Sequence, residues 1–396
     1  MPRFSPFRGL RYDPAVIPLA QAIAPPYDVI EPAERMRLAT RSSFNSVHLE
    51  LPDADLRAGL DRYQVAAHLL TAWRTDGVLV LEDHPAYYLY QMTTRDGAAT
   101  LGVIGALGLP GEDEDGEILP HEETLPKPRS DRLDLLTATE ANLSPIWGLS
   151  LTKGLSAVLQ PSGEADIDVH DDDGIRHQLW VVPESGAASI TEAVGAEPVV
   201  IADGHHRYET ARAYQRQIRA KRGDAPGGHD WVMALVVELS EEQLSVGPIH
   251  RVINGLAPGT DLIGGFGRWF DVVRAGDGSD RVAAALGEAV SLALITNEDA
   301  WLLTPRPEAH EAANSDLDSS LVALALLEFP DVETSHRHGW QEAIESVRTG
   351  DAQAAVLLRP PTVTQIAEWA HERRRMPPKT SYFSPKPRTG MVIRPL

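Results

Sequence analysis

Short apolar blocks broken by glycine and proline set the rhythm of this chain. Runs at Ala86–Met92, Thr100–Leu107, Gln178–Val182, Val199–Ala202, Trp231–Leu239, Ser291–Thr296 and Ala354–Leu358 have the length and apolar content of strands. Apolar residues recur at steps of three and four in Asp53–Asp76, Arg207–Lys221, Asp280–Ala289, Leu317–Leu327 and Val363–Glu372, which predicts helices. Strands alternating with helices predict an α/β or mixed α+β protein. The 30 prolines and 31 glycines are spread through the chain, so elements are short and loops frequent. No internal repeat is visible.

Two polar stretches, Gly111–Gly116 and Ser162–Gly174, read as solvated hairpins or loops. The motifs described next lie on both sides of them. Residues 1–396 are therefore read as one composite catalytic unit, and any division falls into an N-terminal lobe over 1–160 and a C-terminal lobe over 175–396.

Composition narrows the class. Of the 396 residues, 43% are hydrophobic and 23% charged, the globular range. The net charge of −21 argues against a general nucleic-acid binder, which needs a cationic footprint. Without cysteine there is no disulfide, thiolate metal site or thiol nucleophile. The first residues lack the apolar run of a secretory signal, and no run of about 18 apolar residues predicts a membrane span. The expected setting is cytoplasmic, with no nucleic-acid or membrane partner; the oligomeric state is not legible.

The most informative stretch is Val199-Val200-Ile201-Ala202-Asp203-Gly204-His205-His206-Arg207. It reads as a buried strand that turns at Asp203-Gly204 into a helix whose inner face carries Tyr208, Ala211, Tyr214 and Ile218. The helix stops near Gly223, and the strand from Trp231 completes a strand–helix–strand unit. A helix N-terminus attracts anions, Gly204 lets a ligand approach the backbone, and Arg207 can fork onto phosphate oxygens. His205 and His206 can donate as well, and Asp203 can take Mg²⁺. The plainer alternative makes Asp203 a helix cap with surface histidines beside it. A zinc site is disfavoured, since adjacent histidines rarely face one metal.

Other clusters carry possible chemistry. Pro120-His121-Glu122 is followed by Lys127, Asp131 and Arg132. It is not the zinc-protease helix signature, whose second histidine position is Leu125 here. Glu122 can act as a general base, and Lys127 and Arg132 can neutralise phosphate. The segment Met376–Gly390, with Ser384, Lys386 and Arg388, is basic in an acidic chain and reads either as a closing anion-binding segment or as a proline-rich tail. Tyr27 and Asp28, in a stiff proline-rich loop, are structural or line a pocket.

Together these residues carry a resemblance. Pro25–Val29, Pro120–Glu122, Asp131-Arg132, Asn142–Pro145, Asp203–Arg207 and Met376–Gly390 resemble the bacterial family known as domain of unknown function 1015, across nearly the whole chain. More distantly, Pro-His-Glu, Asp-Gly-His-His-Arg and Phe-Ser-Pro-Lys, in that order, resemble free-serine kinases of the ParB/sulfiredoxin-like superfamily. The resemblance implies a ParB/sulfiredoxin-like core with large insertions, because the Glu122-to-Asp203 spacing exceeds that of the compact kinases. It implies a phosphotransferase that converts free L-serine to O-phosphoserine with ATP or ADP and Mg²⁺. Glu122 is then the base, with His121 beside it. Asp203 holds the metal, and Gly204, His205, His206, Arg207, Ser384 and Lys386 hold nucleotide phosphates. Tyr27, Asp28, Lys127, Arg132 and Arg388 are further candidates for substrate or phosphate. The alternatives are a ParB-like nucleotide-binding switch and a metal-dependent phosphatase or other hydrolase.

Overall fold

The computed structural model describes residues 1–111, 116–122, 130–276 and 292–396. The chain divides into two units, each with its own sheet. The first comprises Met1–His121, Leu125–Leu244 and Pro385–Leu396; the second comprises Glu122–Thr124 and Ser245–Ser384. Residues 160–175, where the sequence offered a lobe boundary, lie inside the first unit.

The first unit is built on nine strands: β1 (Phe4–Ser5), β2 (Tyr88–Thr93), β3 (Ala99–Gly108), β4 (Ile118–Pro120), β5 (Ile146–Ser150), β6 (Ile167–His170), β7 (Arg176–Val181), β8 (Val199–Asp203) and β9 (Trp231–Glu238). Their order is β4-β8-β5-β9-β3-β2-β7-β6, with β1 paired to β3. The sheet is mixed: β4–β8 and β5–β9 are parallel and the other pairs antiparallel. The fold is thus mixed α/β. Strands β8 and β9 flank the Asp203-Gly204 turn and the helix after it in sequence, yet β5 lies between them and they run in opposite directions. The motif is therefore not a parallel crossover. The polar stretch Ser162–Gly174 contains β6 and the turn of the β6–β7 hairpin, closed by Asp171 N–H donating to the Ile175 carbonyl oxygen and by Ile175 N–H donating to Asp171 Oδ1.

Four helices of this unit matter below: α1 (Arg62–Thr75), α2 (Ser130–Thr139), α3 (Glu184–Gly195) and α4 (His205–Arg222). The sequence pattern suggested a helix from Asp53, but it begins at Arg62. Asp61 accepts from the Tyr63 and Gln64 amides in a capping box, and Gly59 sits at φ +69° just before it. One core packs Val199 and Ile201 of β8 and Val232, Ala234 and Val236 of β9 against Ile190 and Val194 of α3 and Ala211 of α4. A second joins Leu10, Trp73, Leu135 and Ile393.

The second unit has a six-stranded sheet of β11 (His250–Asn254), β12 (Phe270–Gly276), β13 (Leu292–Thr296), β14 (Ala300–Pro305), β15 (Glu333–Arg337) and β16 (Ala354–Leu357). The order is β12-β14-β13-β16-β11-β15, antiparallel throughout. Period-two alternation divides its side chains between two faces. Ile253, Leu294 and Val356 pack with helix α5 (Asp318–Leu326), while Val252, Ala293 and Leu357 pack with helix α6 (Trp340–Arg348). A separate ribbon pairs β10 (Ser245–Pro248) with β17 (Ser381–Ser384). The basic C-terminal stretch is thus partly a strand and not a loose tail. The expected helix at Asp280–Ala289 and most of the Gly111–Gly116 stretch lie outside the described residues. Among the described residues no helix is long and apolar enough to cross a membrane.

Candidate functional site

Strand β8 delivers Asp203 to the start of α4, and Gly204 makes the turn. Gly204 has φ +86°, and a Cβ there would sit 3.0 Å from Arg207 Nε and 3.1 Å from its Cζ. Two constraints therefore favour glycine: the left-handed backbone and the guanidinium lying back over it. Gly204 occupies the cap position of α4, and no side chain caps the helix. Asp203 has a different task. Its Oδ1 accepts from Lys386 Nζ at 2.7 Å and its Oδ2 from Arg207 Nη2 at 2.8 Å. Burial raises the Asp203 pKa, but Lys386 and Arg207 outweigh it and hold the carboxyl well below its usual range. Arg207 is also fastened by Nη1 to the Pro145 carbonyl oxygen. Two cations thus meet at the N-terminus of an 18-residue helix, which is a setting for an anion.

His121 Nδ1 donates to the Ile201 carbonyl oxygen, and its ring lies 5.0 Å from that of His205. The structure thereby brings His121, Asp203, Gly204, His205, Arg207 and Lys386 together in the first unit. The donor set does not fit a protein-held Mg²⁺: a divalent ion at Asp203 would have to displace Lys386 or Arg207. Among the described residues no group of three or more His, Asp and Glu side chains could hold a metal.

Arg207 also lines a cavity of about 60 Å³, with Tyr27, Glu50, Arg132, Ser144 and Thr210 among its walls. Helix α2 supplies Arg132, whose Nη1 donates to Glu50 Oε2 at 3.1 Å and whose Nε donates to Asp131 Oδ2 at 2.9 Å. The Arg132 guanidinium lies 4.3 Å from the centre of the Tyr27 ring. Burial pushes the Tyr27 hydroxyl up to about 12 against the pull of Arg207, so it stays protonated at neutral pH. Asp28 is exposed. Tyr27, Arg132 and Arg207, far apart in sequence, share this cavity. Glu50 and Thr210 carry no motif, and Ser144 belongs to the Asn142–Pro145 motif without a role assigned from sequence.

Two expected phosphate contacts have other settings. Arg388 is 7% exposed, and its guanidinium is paired with Asp171 and Asp173. It is a structural anchor and not a free phosphate ligand. Ser384 belongs to β17, opposite Ser245 in the second unit. Lys127 lies outside the described residues.

In the second unit Glu122 is fixed by backbone. Its Oε2 accepts from Lys379 N–H at 2.9 Å, and its Oε1 accepts from Thr380 N–H, Ser381 N–H and Ser381 Oγ at 3.1, 2.8 and 2.9 Å. Nearby, Arg251 Nη1 donates to the Lys379 carbonyl oxygen. Burial pushes the Arg251 pKa down to about 10 against the pull of Glu122. Burial also pushes His250 and His336 down to about 4, and Arg251 reinforces both shifts.

These two histidines predict a pH effect. They remain neutral in the folded protein while the unfolded chain binds protons from about pH 6.5 downward. Their contribution is intact above pH 6.5 and is lost as pH falls toward 4. Denaturant unfolding of the full chain at pH 7, 6 and 5 should show stability falling with a slope of up to about 1.4 kcal/mol per pH unit for His250 and a smaller one for the half-buried, more solvent-screened His336. A flat profile over that window contradicts the two depressed values.

No curated protein sequence matches the chain. Among solved structures it is similar to a free serine kinase variant in complex with AMP, at 13% identity and TM-score 0.38, covering 67% of this chain and 83% of that one. It is similar to SbnI with C-terminal truncation from Staphylococcus aureus, at 14% identity and TM-score 0.38, covering 70% and 83%. It is also similar to a conserved hypothetical protein from Pyrococcus furiosus, at 13% identity and TM-score 0.37, covering 70% and 91%. A family model described as a protein of unknown function, DUF1015, matches residues 4–324. That match spans the strand, turn and helix that carry Asp203, Gly204 and Arg207, and the chain belongs to the DUF1015 family.

Proposed function

We propose that the chain is a nucleotide-dependent kinase that phosphorylates free L-serine to O-phosphoserine. The observation that carries this reading is the Asp203 carboxylate held between Lys386 and Arg207 at the start of α4, beside left-handed Gly204. Phosphoryl transfer needs fixed cations and N–H donors around the moving phosphoryl group more than it needs covalent chemistry. The shared order of Pro-His-Glu, Asp-Gly-His-His-Arg and Phe-Ser-Pro-Lys supports the choice of serine.

In this reading the phosphates of ATP or ADP lie against the Gly204 backbone, with Arg207 and Lys386 neutralising their charge. His121 supports the turn through Ile201. Glu122 takes the serine hydroxyl proton, its carboxylate oriented by three backbone amides. The setting is cytoplasmic, and neither nucleic acid nor membrane takes part.

Purified chain incubated with L-serine, Mg²⁺ and either ATP or ADP should yield phosphoserine by mass spectrometry, and Glu122→Gln should lower the rate by at least about 100-fold. Absence of product with both nucleotides from folded protein sinks the serine assignment. Full activity in Glu122→Gln removes Glu122 as the base.

A further inference from the structure

Two residues that line this cavity, Glu50 and Arg207, each carry a buried polar atom without a hydrogen-bond partner, one an acceptor and one a donor. Glu50 is 3% exposed; its Oε2 is taken by Arg132, while its Oε1 is buried without a hydrogen-bond partner. Arg207 uses Nη1 on Pro145 and Nη2 on Asp203, while its Nε is buried without a partner. A buried carboxylate oxygen left unpaired is costly, and so is an unpaired guanidinium N–H. A ligand that brings one donor and one acceptor relieves both.

Charge narrows the ligand further. The charged groups around the cavity are the cations Arg62, Arg132, Arg207 and Lys386 and the carboxylates Asp28, Glu50, Asp131 and Asp203, all but Asp28 linked in ion pairs. Burial and its surroundings keep Tyr27 neutral. The set is balanced, so a bare anion or a bare cation would leave an uncompensated charge, whereas a neutral zwitterion would not. Arg207 feels the fields of Asp203, Asp28 and Glu50, so the two ends of such a ligand fall within one electrostatic neighbourhood. Size agrees. A volume of about 60 Å³ exceeds the roughly 10–15 Å³ one water requires on this measure and suits a few heavy atoms, not a nucleoside.

We propose that this cavity binds the head group of a small α-amino acid, with its ammonium on Glu50 Oε1 and its carboxylate at the guanidinium edge of Arg207. Ser144 and Thr210 line the same space and offer hydroxyls to a short polar side chain. The choice of amino acid rests on the serine-kinase reading above; the charge pattern of the pocket does not. Arg207 then serves both sides, touching the acceptor in the cavity and Asp203 in the phosphate cradle.

Calorimetric titration of the full chain without nucleotide tests this. L-serine should bind, and ethanolamine, which lacks the carboxylate, and glycerate, which lacks the ammonium, should each bind at least about tenfold more weakly. Glu50→Gln should weaken serine by about tenfold or more and leave glycerate unchanged, removing the preference between them. Since Glu50 also pairs with Arg132, Thr210→Leu provides a second variant that fills the cavity without altering charge, and it should abolish serine binding. Serine failing to bind the folded chain, or Glu50→Gln keeping the serine-to-glycerate ratio, overturns the assignment. Serine binding without phosphoserine formation leaves the pocket standing and removes the kinase reading. Phosphoserine formation at the parent rate by both Glu50→Gln and Thr210→Leu removes the pocket and leaves the kinase reading standing.

Discussion

Replacing Asp203 by asparagine is expected to destabilise the protein by about 3 kcal/mol and at the same time to make its anion response stronger. The substitution keeps the side-chain shape but removes the charge between Lys386 and Arg207, whose side chains are only 13% and 10% exposed. Breaking a largely buried ion pair by deleting one partner costs about 3–5 kcal/mol, because the remaining charge stays desolvated. Here two cations lose one shared anion, and partial water access places the cost at the lower end. For a unit of this size that corresponds to a loss of roughly 6–12 °C in Tm. A purely structural ion-pair cluster predicts only this loss. A phosphate cradle predicts something more: inorganic phosphate, ATP or ADP should raise the Tm of Asp203→Asn by more than it raises that of the parent, since the anion now replaces the missing carboxylate. Thermal unfolding with and without millimolar phosphate decides the matter. Equal shifts in parent and variant mean that the two cations are not presented to ligands.

The parts of this site that could be read from sequence are the contiguous ones. Asp203, Gly204 and Arg207 lie within a single turn of chain, so a strand ending in turn chemistry before a helical pattern was enough to place them. Strands such as Trp231–Glu238 were equally plain, since six consecutive buried apolar residues, Val232 to Val237, leave little alternative. What escaped depended on distant partners. Glu50 is a charge that follows buried Val47 and Leu49, and nothing local says that Arg132, 82 residues on, pairs with it. Arg388 looked like one cation in a basic tail, yet its environment is set by Asp171 and Asp173 in a hairpin far upstream. Ser381–Ser384 has no strand pattern of its own and becomes a strand through its pairing with Ser245–Pro248. Direction was hidden too: a strand, a helix and a strand in succession did not reveal that β5 inserts between β8 and β9. Local rules constrain local geometry, and sheet order and buried charge pairing are settled by the rest of the chain.

The largest loss of stability is expected from Asp171→Ala, at a position that touches no proposed ligand. Asp171 Oδ2 accepts from His177 Nε2 at 2.8 Å and from Arg388 Nε at 2.7 Å, and Oδ1 accepts from the Ile175 amide at 2.9 Å. His177 Nδ1 in turn accepts from the Tyr90 hydroxyl at 2.8 Å, and the Arg388 amide donates to that same hydroxyl at 3.1 Å. His177 is fully buried, Tyr90 likewise, and Asp171 is 5% exposed. Burial lowers the His177 pKa, so the ring is the neutral tautomer with its proton on Nε2, facing the carboxylate. Alanine leaves Arg388 with only the 70%-exposed Asp173 and leaves the His177 N–H unpaired. The expected cost is about 4 kcal/mol, or roughly 8–16 °C in Tm. Asp173→Ala supplies the contrast: an exposed partner is worth about 0–1 kcal/mol, so its loss should scarcely move the transition. The same network fixes the backbone two residues after Lys386, so Asp171→Ala should also loosen Lys386 from Asp203 and weaken nucleotide binding, while Asp173→Ala should not. Thermal unfolding and nucleotide titration of the two variants test both statements. Equal effects from Asp171→Ala and Asp173→Ala would show that the buried network neither anchors the C-terminal segment nor holds Lys386 in place.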